Sequence, residues 1–143
     1  MFIDQGDLLQ GMSMIFTKRF MDIATRDNHD KGEFLFHEGD PADYFYTLII
    51  GSVRLTIETG HRVYIVEKAG DAFGWSSLLD REVYSASAEC LERTVLLKFD
   101  RNNLGKLLEE HPDNGLTFYK KLAQILGNRL LHSYKVICDT AGT

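Results

Sequence analysis

Apolar residues along this chain change their spacing twice. In residues 7–26, DLLQGMSMIFTKRFMDIATR, they interleave with Lys18, Arg19 and Asp22 at roughly helical steps, which predicts one or two short helices leading into a first strand. From about residue 23 to residue 99 the pattern becomes short runs rich in Val, Ile, Tyr, Phe and Thr, punctuated by Gly32, Gly39, Gly51, Gly60, Gly70 and Gly74. Strands of that length between turn residues predict an antiparallel β-barrel or jelly roll occupying residues 27–99. EFLFHE is expected to set Phe34 and Phe36 on one face and Leu35 and His37 on the other. YFYTLII and SVRLTIE flank Gly51, RVYIVEK follows a hairpin turn expected at Thr59-Gly60, and TVLLKF ends the set.

Residues 100–139 return to helical spacing. Asp100 is the expected N-cap of RNNLGKLLEEH, and Pro112 ends that helix and opens a long one. In the long helix Leu116, Tyr119, Ala123, Leu126, Leu130 and Ile137 form one apolar row, broken at Ser133. Phe118, Leu122 and Ile125 form a second, and that width predicts a helix packed both on its own barrel and on a second copy. The expected fold class is mainly β with flanking helices, an antiparallel barrel or jelly roll (a double-stranded β-helix) plus a long C-terminal helix. It is read as one domain over residues 1–143, dimerising through residues 116–137.

Composition narrows the function classes. A net charge of −5 argues against general affinity for nucleic acid or an anionic membrane. MFIDQGDLLQG has early acidic residues and no long apolar core, so it does not read as a signal peptide, and nowhere do eighteen apolar residues run together. Cys90 and Cys138 are expected to be reduced, mostly buried thiols of a cytoplasmic protein. The five histidines fall singly. His37 and Glu38 are neighbours, so in a strand they point to opposite faces and cannot share a metal, which disfavours a metal-dependent barrel enzyme of the cupin kind. Neither catalytic residues nor a metal site are expected.

The segment GDAFGWSSLLDREVYSASA, residues 70–88, has the form of an anion seat. A glycine opens a short helix and a strand of small residues follows. Backbone N–H groups of Ser76, Ser77 and Leu78 at the helix start, and the Ser85 hydroxyl, are candidate donors. Arg81, in the connecting loop beside Asp80 and Glu82, is either a replacement cation or a solvated charge.

From Lys31 to about Tyr134 the chain resembles the cyclic nucleotide-binding domain of bacterial catabolite activator and FNR-type regulators. KGEFLFHEGDPADYFYTLIIGSVRL, then GDAFG, then a helix–strand cassette ending YSASA, then the long helix, carry the resemblance. It implies a sensor in which the barrel holds a cyclic nucleotide against the cassette, and the C-terminal helix closes over the base and forms the dimer. The implied ligand-binding residues are Gly74, Trp75, Ser76, Ser77, Leu78, Tyr84, Ser85 and Ala86. Ser133 and Tyr134 fall either near the base or at a polar step in the dimer seam.

Two positions depart from the family pattern. Trp75 stands where the family has the glutamate that holds the ribose, and Tyr84 where it has the arginine that holds the cyclic phosphate. Losing one partner of a buried charge pair costs about 2–5 kcal/mol, so cyclic AMP binding in the family manner is not expected. Trp75 either fills the ribose site or offers a stacking wall to another ligand. The expected function is a non-catalytic ligand-sensing module with altered or lost cyclic AMP specificity, taking a cyclic nucleotide or another small anion as effector and signalling through the C-terminal helix. The alternatives are a structural dimerisation or docking module with a plugged pocket and, further off, a cupin-type enzyme. Regulators of the family continue into a winged helix-turn-helix where this sequence reads CDTAGT, so DNA binding by this chain is not expected.

Overall fold

Two four-stranded antiparallel sheets face each other and share one apolar core, and three helices lie against the outer face of the first sheet. The computed structural model describes residues 8–58 and 61–141. Helix α1 (Met14–Asp22) precedes strands β1 (Ala24–His29), β2 (Phe34–Phe36), β3 (Tyr44–Ile50), β4 (Val53–Ile57), β5 (His61–Val66) and β6 (Ala72–Phe73). A 3₁₀ helix (Trp75–Leu78), β7 (Ser87–Cys90), β8 (Thr94–Asp100), α2 (Arg101–Glu110) and α3 (Pro112–Ala141) complete the order. The sheets run β1-β8-β3-β6 and β2-β7-β4-β5, the jelly roll expected from the strand spacing. β4 and β5 pair antiparallel as expected; the turn assigned to Thr59-Gly60 lies outside the described residues.

Strand periodicity explains the two cores. On β8, Leu96 points between the sheets while Leu97 and Phe99 point to the helices; on β3, Tyr46 and Leu48 point inward and Phe45 outward. Both faces of the central strands β3 and β8 are therefore buried, which is why TVLLKF and YFYTLII read as nearly unbroken apolar runs. Phe16 and Phe20 of α1, Leu104, Leu107 and Leu108 of α2, and Phe118 and Leu122 of α3 fill the outer layer. Gly51 turns β3 into β4 at φ 110°, and a Cβ there would sit 2.5 Å from the Thr94 hydroxyl oxygen, so only glycine fits.

Several expectations change in detail. EFLFHE does not alternate cleanly: a register shift between Phe34 and Phe36 in the pairing with β7 leaves Phe36 buried and Phe34 half exposed, stacked on His37 at 4.5 Å. Cys90 is buried but Cys138 is exposed, because α3 runs past the barrel there. Asp100 does cap α2, accepting from the Asn103 N–H at 3.0 Å, and Pro112 opens α3. The two apolar rows of α3 separate in part: Phe118 and Leu122 bury against the barrel and Leu126 of the other row packs partly on the same core, whereas Leu116, Leu130 and Ile137 are 59%, 51% and 62% exposed.

Phe118 packs edge-on to Phe45 at 5.9 Å and is fully buried, so it anchors α3 to the sheet. Phe118→Ala is expected to lower unfolding free energy by about 3–5 kcal/mol in urea titration. A cost below about 1 kcal/mol would show that α3 does not depend on this contact.

Candidate functional site

The cassette begins where β6 ends. Gly74 takes φ 75°, and a Cβ on it would lie 3.0 Å from both the Tyr44 carbonyl oxygen and the Tyr46 ring, so β3 leaves room for backbone alone. The 3₁₀ helix that follows closes on itself. The Ser77 N–H donates to the Gly74 carbonyl at 3.2 Å and the Ser77 hydroxyl donates to the same oxygen at 2.8 Å. This corrects the expectation that the Ser77 N–H points at a ligand: the i→i+3 pattern of a 3₁₀ turn spends it internally. Ser76 and Ser77 are buried, and the Ser76 hydroxyl lies 3.4 Å from that of Ser85, so these two cassette hydroxyls meet. Leu78 packs on the outer, helix-side core, and Ala86 is half-buried.

Tyr84 is the best-held side chain of the cassette. Its ring stacks on Phe36 with centroids 3.7 Å apart and planes at 13°. Its hydroxyl donates to the Tyr44 carbonyl at 2.7 Å and accepts from the Tyr44 N–H at 3.0 Å. Its backbone is fixed as well. The Gly39 N–H donates to its carbonyl, and its own N–H donates to the Asp40 carbonyl, at 3.0 and 2.9 Å. The neighbouring pair Pro41 and Val83 forms an antiparallel bridge, and the Ala42 N–H donates to the Glu82 carbonyl. The EGDPAD motif is thus a clip on the second half of the cassette, with Asp40 steadying its own turn by accepting from the His37 N–H at 2.8 Å.

An aromatic layer continues inward from Tyr84. Tyr46 stacks on Phe73 at 5.0 Å, nearly parallel, and Phe36 lies 5.8 Å from Tyr46. Burial pushes the Tyr84 phenol up to about 12, with the bond its oxygen accepts from the Tyr44 N–H opposing the shift, and burial raises the Tyr46 phenol as well. Both rings are neutral through the physiological range. The position that would carry a fixed positive charge therefore carries none.

The remaining expected residues are less engaged. Trp75 is half-buried, and the ring stacks inside the barrel are made by Phe36, Tyr46, Phe73 and Tyr84 rather than by its indole. Arg81 is exposed, and its carbonyl accepts from Arg101 at 2.7 Å. On α3, the Ser133 hydroxyl donates to the Arg129 carbonyl one turn back, and Tyr134 is 52% exposed.

Arg129 is the residue that pattern reading missed. Its guanidinium donates to the carbonyl of Ala72, two residues before Gly74, and lies 4.4 Å from the ring centre of Tyr64 on β5. Its Nε is buried without a hydrogen-bond partner. Burial lowers its pKa, with Tyr64 and Asp71 opposing; burial raises that of Asp71, with Arg129 opposing. The available signal was a lone arginine in GNRLLH, inside an otherwise apolar stretch of the long helix.

The sequence profile of the cyclic nucleotide-binding domain matches residues 26–111, more than half of the chain. The chain belongs to the cyclic nucleotide-binding domain family. A cGMP-dependent protein kinase of Caenorhabditis elegans is 30% identical over 112 residues, 75% of this chain and 14% of the kinase. Glutaminase 1 of Bradyrhizobium diazoefficiens is 30% identical over 128 residues, 87% of this chain and 20% of that protein. The chain therefore spans a fifth or less of these relatives. A cyclic nucleotide-binding domain from Methylobacillus flagellatus superposes with a TM-score of 0.80 at 26% identity, covering 90% of this chain and 74% of that one. Among the described residues no helix is long and apolar enough to cross a membrane, and no cluster of three or more His, Cys, Asp or Glu could hold a metal.

Tyr84→Phe is expected to cost about 1–3 kcal/mol, since it strips both bonds from the Tyr44 backbone. The alkaline limb reports the same group. A phenol whose folded pKa is about 12 against 10.0 unfolded gives stability that is whole below pH 10 and lost as pH rises through 12. The urea midpoint of the wild type should fall through that window more steeply than that of Tyr84→Phe; equal slopes would contradict the placement of this ring.

Proposed function

We propose that the chain is a non-catalytic, ligand-sensing regulatory module of the cyclic nucleotide-binding family whose cassette has altered specificity. The observation that carries this reading is Tyr84, buried and held by Phe36 and Tyr44, at a position to which the resemblance assigns the family's phosphate-holding arginine. The barrel, the glycine turn and the two hydroxyls of Ser76 and Ser85 are those of a ligand seat, but the charge is missing from it. Occupancy of the cassette would shift α3 relative to the barrel, and a partner would read that shift. A cytoplasmic setting fits the absence of a long apolar helix among the described residues. The stack of Tyr84 on Phe36 also favours a second reading, a docking module whose pocket is filled by its own phenol.

The exposed row of α3 supports a homodimer. Leu130, Leu131 and Ile137 in the far half of the 30-residue α3 are each more than half exposed, and they offer apolar surface to a second copy, interrupted at Ser133.

Isothermal titration with cyclic AMP and cyclic GMP tests the specificity claim: neither should bind in the micromolar range, and micromolar binding of either refutes it. Sedimentation equilibrium tests the dimer. The wild type should sediment as a dimer and the Leu130→Glu, Ile137→Glu double variant as a monomer; a monomeric wild type at all concentrations removes α3 as the pairing surface.

A further inference from the structure

Glycine is among the weakest helix formers, so a glycine inside a helix calls for a packing reason. Gly115, near the start of α3, has one: a Cβ there would lie 2.6 Å from the Leu108 carbonyl oxygen, so the glycine lets α3 close on α2. Gly105, in the middle of α2, has none, since nothing lies within 4 Å of where its Cβ would be. The space beside it is an open groove of about 720 Å³ between α2, the start of α3 and the 3₁₀ helix of the cassette. The missing side chain keeps that groove clear.

The groove has an apolar floor and a negatively charged end. Leu78, Leu108 and Leu116 line it, and Leu116 is exposed. Toward the C-terminal end of α2, Asp80 and Glu109 act on the Tyr119 hydroxyl: burial raises that phenol, and the two carboxylates add to the shift. Both carboxylates are exposed, and among the described residues neither is in an ion pair. The cations are engaged elsewhere. Arg101 donates to the carbonyls of Ala42 and Arg81, and Lys106 stands on the ridge that α2 shares with the cleft toward α1.

We propose that this groove docks a partner protein, taking a segment that lays apolar side chains on Leu108 and Leu116 and sets a lysine or arginine between Asp80, Glu109 and the Tyr119 ring. A cation over an aromatic face with carboxylates beside it gains from both. Small molecules favour enclosed pockets, whereas an open groove suits a segment whose backbone continues past both ends. Leu116 stands about 21 Å along α3 from Leu130 at 1.5 Å per residue, so the groove lies apart from the surface offered to a second copy. Docking here stands whether or not the cassette takes a ligand, and so goes beyond the sensor reading.

The test uses the full chain and short random peptides displayed on phage. Enriched peptides are resynthesised with a fluorescein label, and binding is read by anisotropy. Wild type is compared with Gly105→Leu, which fills the groove, and with the double variant Asp80→Asn, Glu109→Gln, which removes its charge. Asparagine tolerates the left-handed backbone of Asp80, at φ 56°. The enriched peptides are expected to carry lysine or arginine beside Leu, Ile, Met or Phe. Their affinity should fall about tenfold or more in the double variant and be lost in Gly105→Leu. Gly105→Leu should melt no lower than the wild type, because leucine enters open space and favours a helix.

Each other outcome overturns the assignment. A clearly lower melting temperature for Gly105→Leu would mean that the groove is not open. Enrichment of acidic peptides, no enrichment, or equal affinity in wild type and Gly105→Leu would mean that it is not a docking site for a basic segment. Sedimentation in which Gly105→Leu turns a dimer into a monomer would give the groove to a second copy instead. None of these results bears on binding of a ligand by the cassette, which the titrations with cyclic nucleotides read separately.

Discussion

The hydroxyl of Tyr84 on the backbone of Tyr44 is the interaction on which the site depends. One phenol both donates to and accepts from a single residue of β3, while its ring lies flat on Phe36. That arrangement fixes the end of the cassette to the first sheet without any charge. An arginine in its place would have to reach outward for a counter-ion, whereas a tyrosine finds all its partners inside the protein. The cassette is therefore held at this point by uncharged contacts within the protein.

Strands β3 and β8 are buried on both faces, so they have no freedom to accommodate a displaced cassette, and Gly74 already approaches β3 as closely as a backbone can. The adaptable element is α3. It is anchored by Phe118 and Leu122 near its start, and from Leu130 onward its apolar residues face solvent. Arg129 stands at the junction between the anchored and the free halves. A contact there has leverage over the remainder of the helix, because the part beyond it has few ties to the barrel.

Much of the fold was legible before any coordinates. The punctuation by glycines, the unbroken runs at β3 and β8, the Asp100 cap and the Pro112 start each have a local cause, and local causes are what sequence displays. The two apolar rows of α3 were also visible, and the structure buries Phe118 and Leu122, packs Leu126 of the other row partly on the same core, and leaves Leu116, Leu130 and Ile137 exposed. Other features were hidden because they depend on register or on distant partners. The register shift between Phe34 and Phe36 is set by β7, some fifty residues away. The N–H donor expected from Ser77 was consumed by a 3₁₀ turn whose tightness the sequence does not specify. Tyr84 and Trp75 were found as departures from a motif, but only the packing shows that Tyr84, rather than the indole, completes the aromatic layer. Arg129 was invisible for the opposite reason: its partners, Ala72 and Tyr64, lie more than fifty residues upstream.

The most direct measurement is a crystal structure of the chain grown with excess cyclic AMP. The account predicts that Tyr84 keeps its stack on Phe36 and both bonds to Tyr44, with no cyclic phosphate seated between Ser76 and Ser85. A cyclic phosphate bound there, with the Tyr84 ring swung out of the barrel to admit it, would contradict the account.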